Sequence, residues 1–273
     1  MTQVNGGIAA YVERDAPFNK VAGVGFDGVP DAAAFETLEQ AYAEREAPVR
    51  FEVATLADPE LFRALTRRGY ELIGFENVLG LDLGEFGRAH ADAARAGGES
   101  GRSDSVLVTR AGDDEAGAWL DVVATGFMHP DVFDGPPSLE VIPREVLDRV
   151  FGDTIATPGF ERYLARRGGS LAGGASFRIQ DRVAQLSGAA TVPEHRRHGV
   201  QTALLRHRLE EAVRRGCDVA VVTTEPGSRS QQNVQKAGFS LLYARAILAT
   251  TTNYQLQTPN SKPGTSNSQN LRS

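Results

Sequence analysis

Between residues 199 and 215 apolar side chains return at helical spacing: Leu205, Leu209, Ala212 and Val213 share one stripe, and polar or charged residues fill most of the rest. That is the pattern of an amphipathic helix opened by Gly199. The run that follows, 218–224, is short, β-branched and bounded by polar residues, which predicts a buried strand. By the same reasoning the second half holds strands near 106–110, 160–166, 170–180, 183–192 and 239–249, and helices near 115–127, 143–151 and 229–237. Gln180-Asp181-Arg182 reads as a hairpin between two of the strands, and the Pro-, Gly- and Asp-rich stretch 129–137 as an irregular loop. Antiparallel strands followed by a strand–helix–strand crossover make a mixed α/β sheet.

The first half repeats part of this pattern. Residues 51–81 align without a gap onto 220–250: Val53 falls on Val222, Thr55 on Thr224, Gly69 on Gly238, Leu72 on Leu241 and Leu79 on Leu248, with Tyr70 on Phe239. The matched positions spell one unit twice, a strand, a polar turn, an amphipathic helix and a Gly-aromatic step into another strand. The glycine is suited to a left-handed helix C-cap. Two stretches lack the apolar side chains needed to bury a face. Residues 87–105 contain nothing apolar larger than Ala and read as a flexible interdomain linker; the polar tail 250–273 is expected to be disordered. The expected organisation is an N-terminal domain over 1–86, the linker, a second domain over 106–249 and the tail.

Composition narrows the class. The chain has 273 residues, 41% apolar and 23% charged, as soluble globular proteins have, so fibrous and wholly disordered classes drop out. With 29 Lys and Arg against 35 Asp and Glu, the net charge of −6 gives nucleic acid or anionic membrane no bulk attraction. The single cysteine, Cys217, cannot close an intrachain disulfide, and no apolar run reaches the length of a membrane span, so a cytoplasmic location is expected.

The chemistry gathers after the strand ending Ala190-Thr191-Val192. There Pro193-Glu194-His195-Arg196-Arg197-His198-Gly199 forms a basic turn before the long helix beginning Val200-Gln201-Thr202-Ala203. Such a turn aims unpaired backbone N–H groups and the positive helix end at one point, where a pyrophosphate can sit. Gly199 keeps a side chain out of that point, and Arg196, Arg197 and His198 add charge. An ordinary solvated helix start is the competing reading.

Arg196-Arg197-His198-Gly199-Val200-Gln201 resembles the acyl-CoA signature of the GNAT superfamily of N-acetyltransferases, Arg/Gln-x-x-Gly-x-Gly/Ala, with Gln201 replacing the final small residue. Asn233-Val234-Gln235-Lys236-Ala237-Gly238-Phe239 is similar to that family's last helix and the strand after it. The resemblance spans 106–249 and implies a GNAT-like fold in two tandem units, the N-terminal one degenerate. It further implies acetyl-CoA as co-substrate, no metal, and direct attack on the acetyl group by a primary amine of a small-molecule acceptor. Ala190, Thr191 and Val192 would hold the pantetheine arm as an added strand, Arg197 to Ala203 the pyrophosphate, and Asn233 would belong to the cofactor site; an N–H near Val192 would face the oxyanion.

The resemblance also implies a strand glutamate as base and a helix tyrosine as acid, and neither is in its usual place: the strand 183–192 carries Gln185, and the helix position is Val234. No catalytic residue is therefore assigned. Tyr163, Tyr243, Glu225 and Asn233 remain conceivable, each more simply structural. The missing pair motivates an alternative, a non-catalytic acyl-CoA-binding regulatory module. A third reading takes Arg206, Arg208, Arg214 and Arg215 as a nucleic-acid stripe; a solvated helix face is simpler, and neither nucleic acid nor membrane is an expected partner. His195, His198 and His207 lack companion carboxylates or thiolates for a metal. Trp119 and Phe127 are expected in the core, and a homodimer is allowed. In the first half, Gly25-Phe26-Asp27-Gly28-Val29-Pro30-Asp31 occupies the phosphate-turn place without a basic residue, and Asp31 reads as a helix cap.

Overall fold

The computed structural model describes residues 1–13, 16, 18–95, 106–129, 143–155 and 157–250. The N-terminal half contributes β1 (Thr2–Val4), β2 (Gly7–Ala10), β3 (Lys20–Ala22), α1 (Ala32–Ala43), β4 (Arg50–Ala54), α2 (Pro59–Arg67), β5 (Tyr70–Asp82) and α3 (Leu83–Arg95). The C-terminal half contributes β6 (Val106–Arg110), α4 (Ala116–Met128), α5 (Arg144–Ile155), β7 (Phe160–Arg167), β8 (Ser170–Gln180), β9 (Val183–Thr191), a 3-10 turn (Pro193–His195), α6 (Val200–Arg214), β10 (Val219–Thr224), α7 (Arg229–Lys236) and β11 (Ser240–Thr250). Among the described residues, no helix is long and apolar enough to cross a membrane.

Local chemistry explains most boundaries. Asp31 caps α1 by accepting from the Ala34 N–H at 2.8 Å, and Asp58 caps α2 before Pro59. The β8–β9 hairpin turns on Asp181 and Arg182, both at positive φ, as a two-residue type I′ loop requires. Gly69 and Gly238 follow α2 and α7 at φ 83° and 98°, the left-handed termination expected of both copies.

The eleven strands form one sheet in the order β1-β2-β3-β4-β11-β5-β10-β9-β8-β7-β6. The last strands of the two halves are exchanged. β11 lies between β4 and β5 of the first half, and β5 lies between β11 and β10 of the second. The pairing of β5 with β11 is two-fold symmetric: Ser240 faces Gly80 as Ala249 faces Glu71, Leu241 faces Leu79 as Leu248 faces Leu72, and the two repeats meet at one self-paired position, Glu76 opposite Arg245. These two residues, separated by 169 positions, are the same site of the repeat. Two cores flank this seam. One gathers Leu79, Phe177, Leu204 and Leu209 around α6; the other gathers Phe51, Leu61, Leu65 and Leu248 around α1 and α2.

The segment from Gly87 is not an unstructured linker along its whole length, because α3 runs to Arg95. Leu83 is buried and Phe86 packs against the α6 core, with Gly87 close to Val213, so the helix is fixed by two apolar residues just upstream of the segment and continued by good helix formers. Residues 96–105 and the tail beyond Thr250 lie outside the described residues; Thr250 itself ends β11 opposite Tyr70.

Candidate functional site at the parting of two parallel strands

β9 and β10 run parallel but pair only from Val183 to Leu186 against Val219 to Val222. Beyond that point they separate. The departure coincides with a bulge in the β8–β9 ladder, where Gly188 and Ala189 oppose Ala175 alone. Gly188 sits at φ 55°, a conformation that glycine adopts without strain. Residues from Ser187 to Thr191 therefore keep β8 on one side and have no β10 partner on the other.

An open side exposes ladder groups. Val192 donates its N–H to Ala172 at 3.1 Å, so that amide is spent. By the alternation of an antiparallel ladder, the Thr191 N–H and carbonyl point the other way, into the gap. Arg196 reaches the Thr191 carbonyl at 3.4 Å, and its other arm donates to the carbonyl of His129 at the end of α4. Arg196 thus ties the turn to α4 and is not held for a phosphate.

Arg197 and His198 are exposed, Arg197 at φ 63°, and Gly199 at φ 75° is the N-cap of α6. No side chain caps this helix. Its first internal bond runs from the Ala203 N–H to the Gly199 carbonyl at 2.9 Å, which leaves the N–H groups of Val200, Gln201 and Thr202 outside the helical ladder. A Cβ on Gly199 would meet nothing within 4 Å. The mouth of α6 is open space lined by backbone donors, with a cationic residue beside it, as an anion requires.

Asn233 of α7 donates to the Gln201 side chain at 2.9 Å. The departure at Gln201 is thus matched by a partner, and the two sequence signatures meet across α6 and α7. Ser228 caps α7, and Val234 is buried in the α6 core. On the other face of the sheet α4 presses its Gly126 against the open end of β9: a Cβ there would stand 2.5 Å from Ala190 Cβ and 3.4 Å from the Thr191 nitrogen. Gly126→Ala should gain about 1 kcal/mol of helix propensity and lose about 1–3 kcal/mol by overpacking. Net destabilisation in urea unfolding is the expected result; equal or greater stability would show that α4 and β9 separate freely.

Several expected roles change. Arg208 is not on a solvated stripe but is buried at 3% exposure, while Arg206 and Arg214 are exposed and ion-paired to Glu210 and Glu211. Tyr163 is fully buried and donates to Glu161 at 3.0 Å; burial, and then the charge of Glu161, push its pKa up, so it is no proton donor to the gap. Trp119 is buried as expected, whereas Phe127 is 46% exposed and touches the ring of Phe151. Residues 130–142, with most of the irregular loop, lie outside the described residues.

The first half brings a carboxylate to the far side of β10 from β9. Asn77 pairs with Thr224 at the end of β10, and Glu76 comes next along β5. Alternation from Leu79, which packs under α6, places Glu76 on the opposite face. One guanidinium nitrogen of Arg245 bonds both Glu76 at 2.7 Å and the Thr223 hydroxyl at 3.2 Å, while its other arm holds Glu52 at 2.6 Å, and Lys20 closes on Glu52 at 2.5 Å. The repeat alignment carried the signal, since it stacks Glu76 on Arg245.

The matching turn of the first half is closed. The Gly25 carbonyl accepts the Asp58 N–H at 2.8 Å, and a Cβ on Gly25 would stand 2.8 Å from Ala57 and 2.9 Å from Leu61. The turn lies directly on the start of α2 and leaves no gap.

Residues 131–239 match the model of the acetyltransferase (GNAT) family. No curated protein sequence matches the chain. Among solved structures, a GCN5-related N-acetyltransferase from Kribbella flavida is similar at TM-score 0.63 and 18% identity, over 92% of this chain and 88% of that one. A conserved protein of unknown function from Staphylococcus epidermidis aligns at TM-score 0.62 and 10% identity over 92% of each chain. A tandem GNAT protein from the clavulanic acid biosynthesis pathway aligns at TM-score 0.57 and 15% identity, over 86% of this chain and 75% of that one. With the parted strands, the uncapped helix and the repeat exchanged about Glu76 and Arg245, these likenesses identify the fold as a tandem GNAT fold, in which residues 131–239 match the model of the acetyltransferase (GNAT) family.

Proposed function

We propose that this chain is a cytoplasmic N-acetyltransferase that moves the acetyl group of acetyl-CoA to a primary amine of a small-molecule acceptor. The carrying observation is the parting of β9 from β10 beside the uncapped start of α6. In this reading the pantetheine amides pair with the open edge of Ala190 and Thr191, and the pyrophosphate lies at the N–H groups of Val200, Gln201 and Thr202 beside Arg197 and His198. Asn233 acts by holding Gln201 at the mouth of α6. The Thr191 N–H faces the gap and is placed to receive the carbonyl oxygen as negative charge develops on it.

The acceptor amine attacks the acetyl carbon, the nitrogen–carbon bond forms, the carbon–sulfur bond breaks, and CoA leaves as its thiolate, which takes up the proton that the nitrogen releases as it becomes an amide. An alkylammonium must lose a proton first. Glu76 is the acceptor-side carboxylate, at the separated end of β10 and oriented by Arg245. Glu76→Gln should lower kcat by about 100-fold while acetyl-CoA affinity stays unchanged; an unchanged kcat would remove Glu76 from the reaction.

Release of free CoA thiol from acetyl-CoA, followed across a panel of primary amines, tests the reading. Amine-dependent release supports it. Acetyl-CoA binding without release for any amine would favour a non-catalytic acyl-CoA-binding module.

A further inference from the structure

Among the described residues, the buried cation Arg208 pairs with no carboxylate. Its Nη1 donates to the carbonyl oxygens of Ser176 at 2.9 Å and Ser187 at 3.3 Å, and its Nε to Leu204 one turn back in α6 at 3.1 Å. Burial lowers its pKa to about 10, so it remains charged at neutral pH. Placing a guanidinium in a core costs several kcal/mol, which only well-made hydrogen bonds offset. Such a cost raises the question of what these bonds hold.

They hold the bulge. Ser176 and Ser187 are the last regular β8–β9 pair before the ladder shifts, and Leu186, one residue earlier, is the last β9 residue paired with β10. On the opposite face the Trp119 indole of α4 donates to the carbonyl of Ala175, the residue opposed by two. Ser176 adds its hydroxyl to the Ser187 carbonyl at 3.1 Å. Carbonyls at the distorted step are thus taken by side chains arriving from both faces.

We propose that Arg208 and Trp119 form a two-sided latch that fixes the β9 bulge and so keeps the gap to β10 open at the width the pantetheine arm needs. Both are positioning residues; neither touches the cofactor. The inference rests on the acetyl-CoA reading, and a fragment of CoA separates the two. Adenosine 3′-phosphate 5′-diphosphate carries the pyrophosphate but no pantetheine, so it engages the mouth of α6 and not the gap.

Arg208→Lys keeps the charge but loses the Nε bond to Leu204 and the rigid planar fork that aims Nη1 at the two carbonyls, and Trp119→Phe removes the indole donor while keeping an aromatic ring. Both are titrated calorimetrically with acetyl-CoA and with the fragment, beside amide exchange of the peptide containing Ser187 to Thr191. The expected result for each variant is an acetyl-CoA Kd raised about tenfold, an unchanged fragment Kd and faster exchange in that peptide. Equal weakening of both ligands, or unchanged acetyl-CoA binding in Trp119→Phe, would overturn the latch. If the wild-type protein binds neither ligand, the acetyl-CoA reading fails instead.

Discussion

Gly199→Glu should abolish acetyl-CoA binding, raising Kd by at least about 100-fold, without unfolding the protein. Gly199 is exposed, and the space where its Cβ would stand is empty to 4 Å, so a larger side chain meets no protein atom. The folded state suffers only the left-handed backbone, about 1–2 kcal/mol for a residue other than glycine. Binding suffers far more, because a carboxylate then lies among the amides of Val200, Gln201 and Thr202 and repels a pyrophosphate. Gly199→Ala separates the two costs: it bears the same backbone penalty with little bulk and no charge. Calorimetric titration of acetyl-CoA into all three proteins, with urea unfolding alongside, should rank affinity as wild type, Ala, Glu, with Ala and Glu of similar stability. Equal affinity in the Glu variant and the wild type would place the pyrophosphate elsewhere.

Much of this site is written locally in the chain. A basic turn ending in Gly199 before an amphipathic helix is a pattern of neighbours, and the elements around it lie within a residue or two of where periodicity places them. The gap itself is less legible. Gly188 inside a strand pattern was the available sign of a bulge, but only the register with β8 shows that pairing to β10 stops there. Arg208 carries a charge that argues for solvent, but its spacing argues otherwise. It lies four residues after Leu204 and four before Ala212, on the buried stripe, and spacing alone would have placed it inside.

The strand exchange could not be read from pattern. β5 and β11 carry nothing local that says which half each joins, because an apolar strand fits either neighbour of similar face, and the choice is made by long-range register. The linker is expected to begin too early, at Gly87, because Leu83 and Phe86, which anchor α3, lie just outside the polar stretch. Nothing in the second half points to Glu76, because the exchanged strand brings it from the first.

At the seam the largest stability effect is expected. Arg245→Met should cost about 3 kcal/mol or more in urea unfolding, because Glu52, whose side chain is only 3% exposed, loses one of the two cations, Arg245 and Lys20, that it pairs with among the described residues. Arg245→Glu should be far worse. In a perfectly two-fold pair the self-matched position carries the same residue twice, and identical charges would then face each other; this chain sets Arg245 against Glu76 instead. Restoring the symmetry with glutamate puts three carboxylates, Glu52, Glu76 and the new one, around a single lysine, and the exchanged strands should fail to pair. Glu52→Leu combined with Arg245→Met removes both buried charges and should recover much of the loss, since apolar replacement of a buried pair is often neutral. No recovery in that double variant would mean that the seam needs Arg245 for more than the compensation of Glu52. Recovery would show that Arg245 serves the seam chiefly by compensating the buried Glu52, and that Glu76 can stand opposite an apolar residue without parting the exchanged strands.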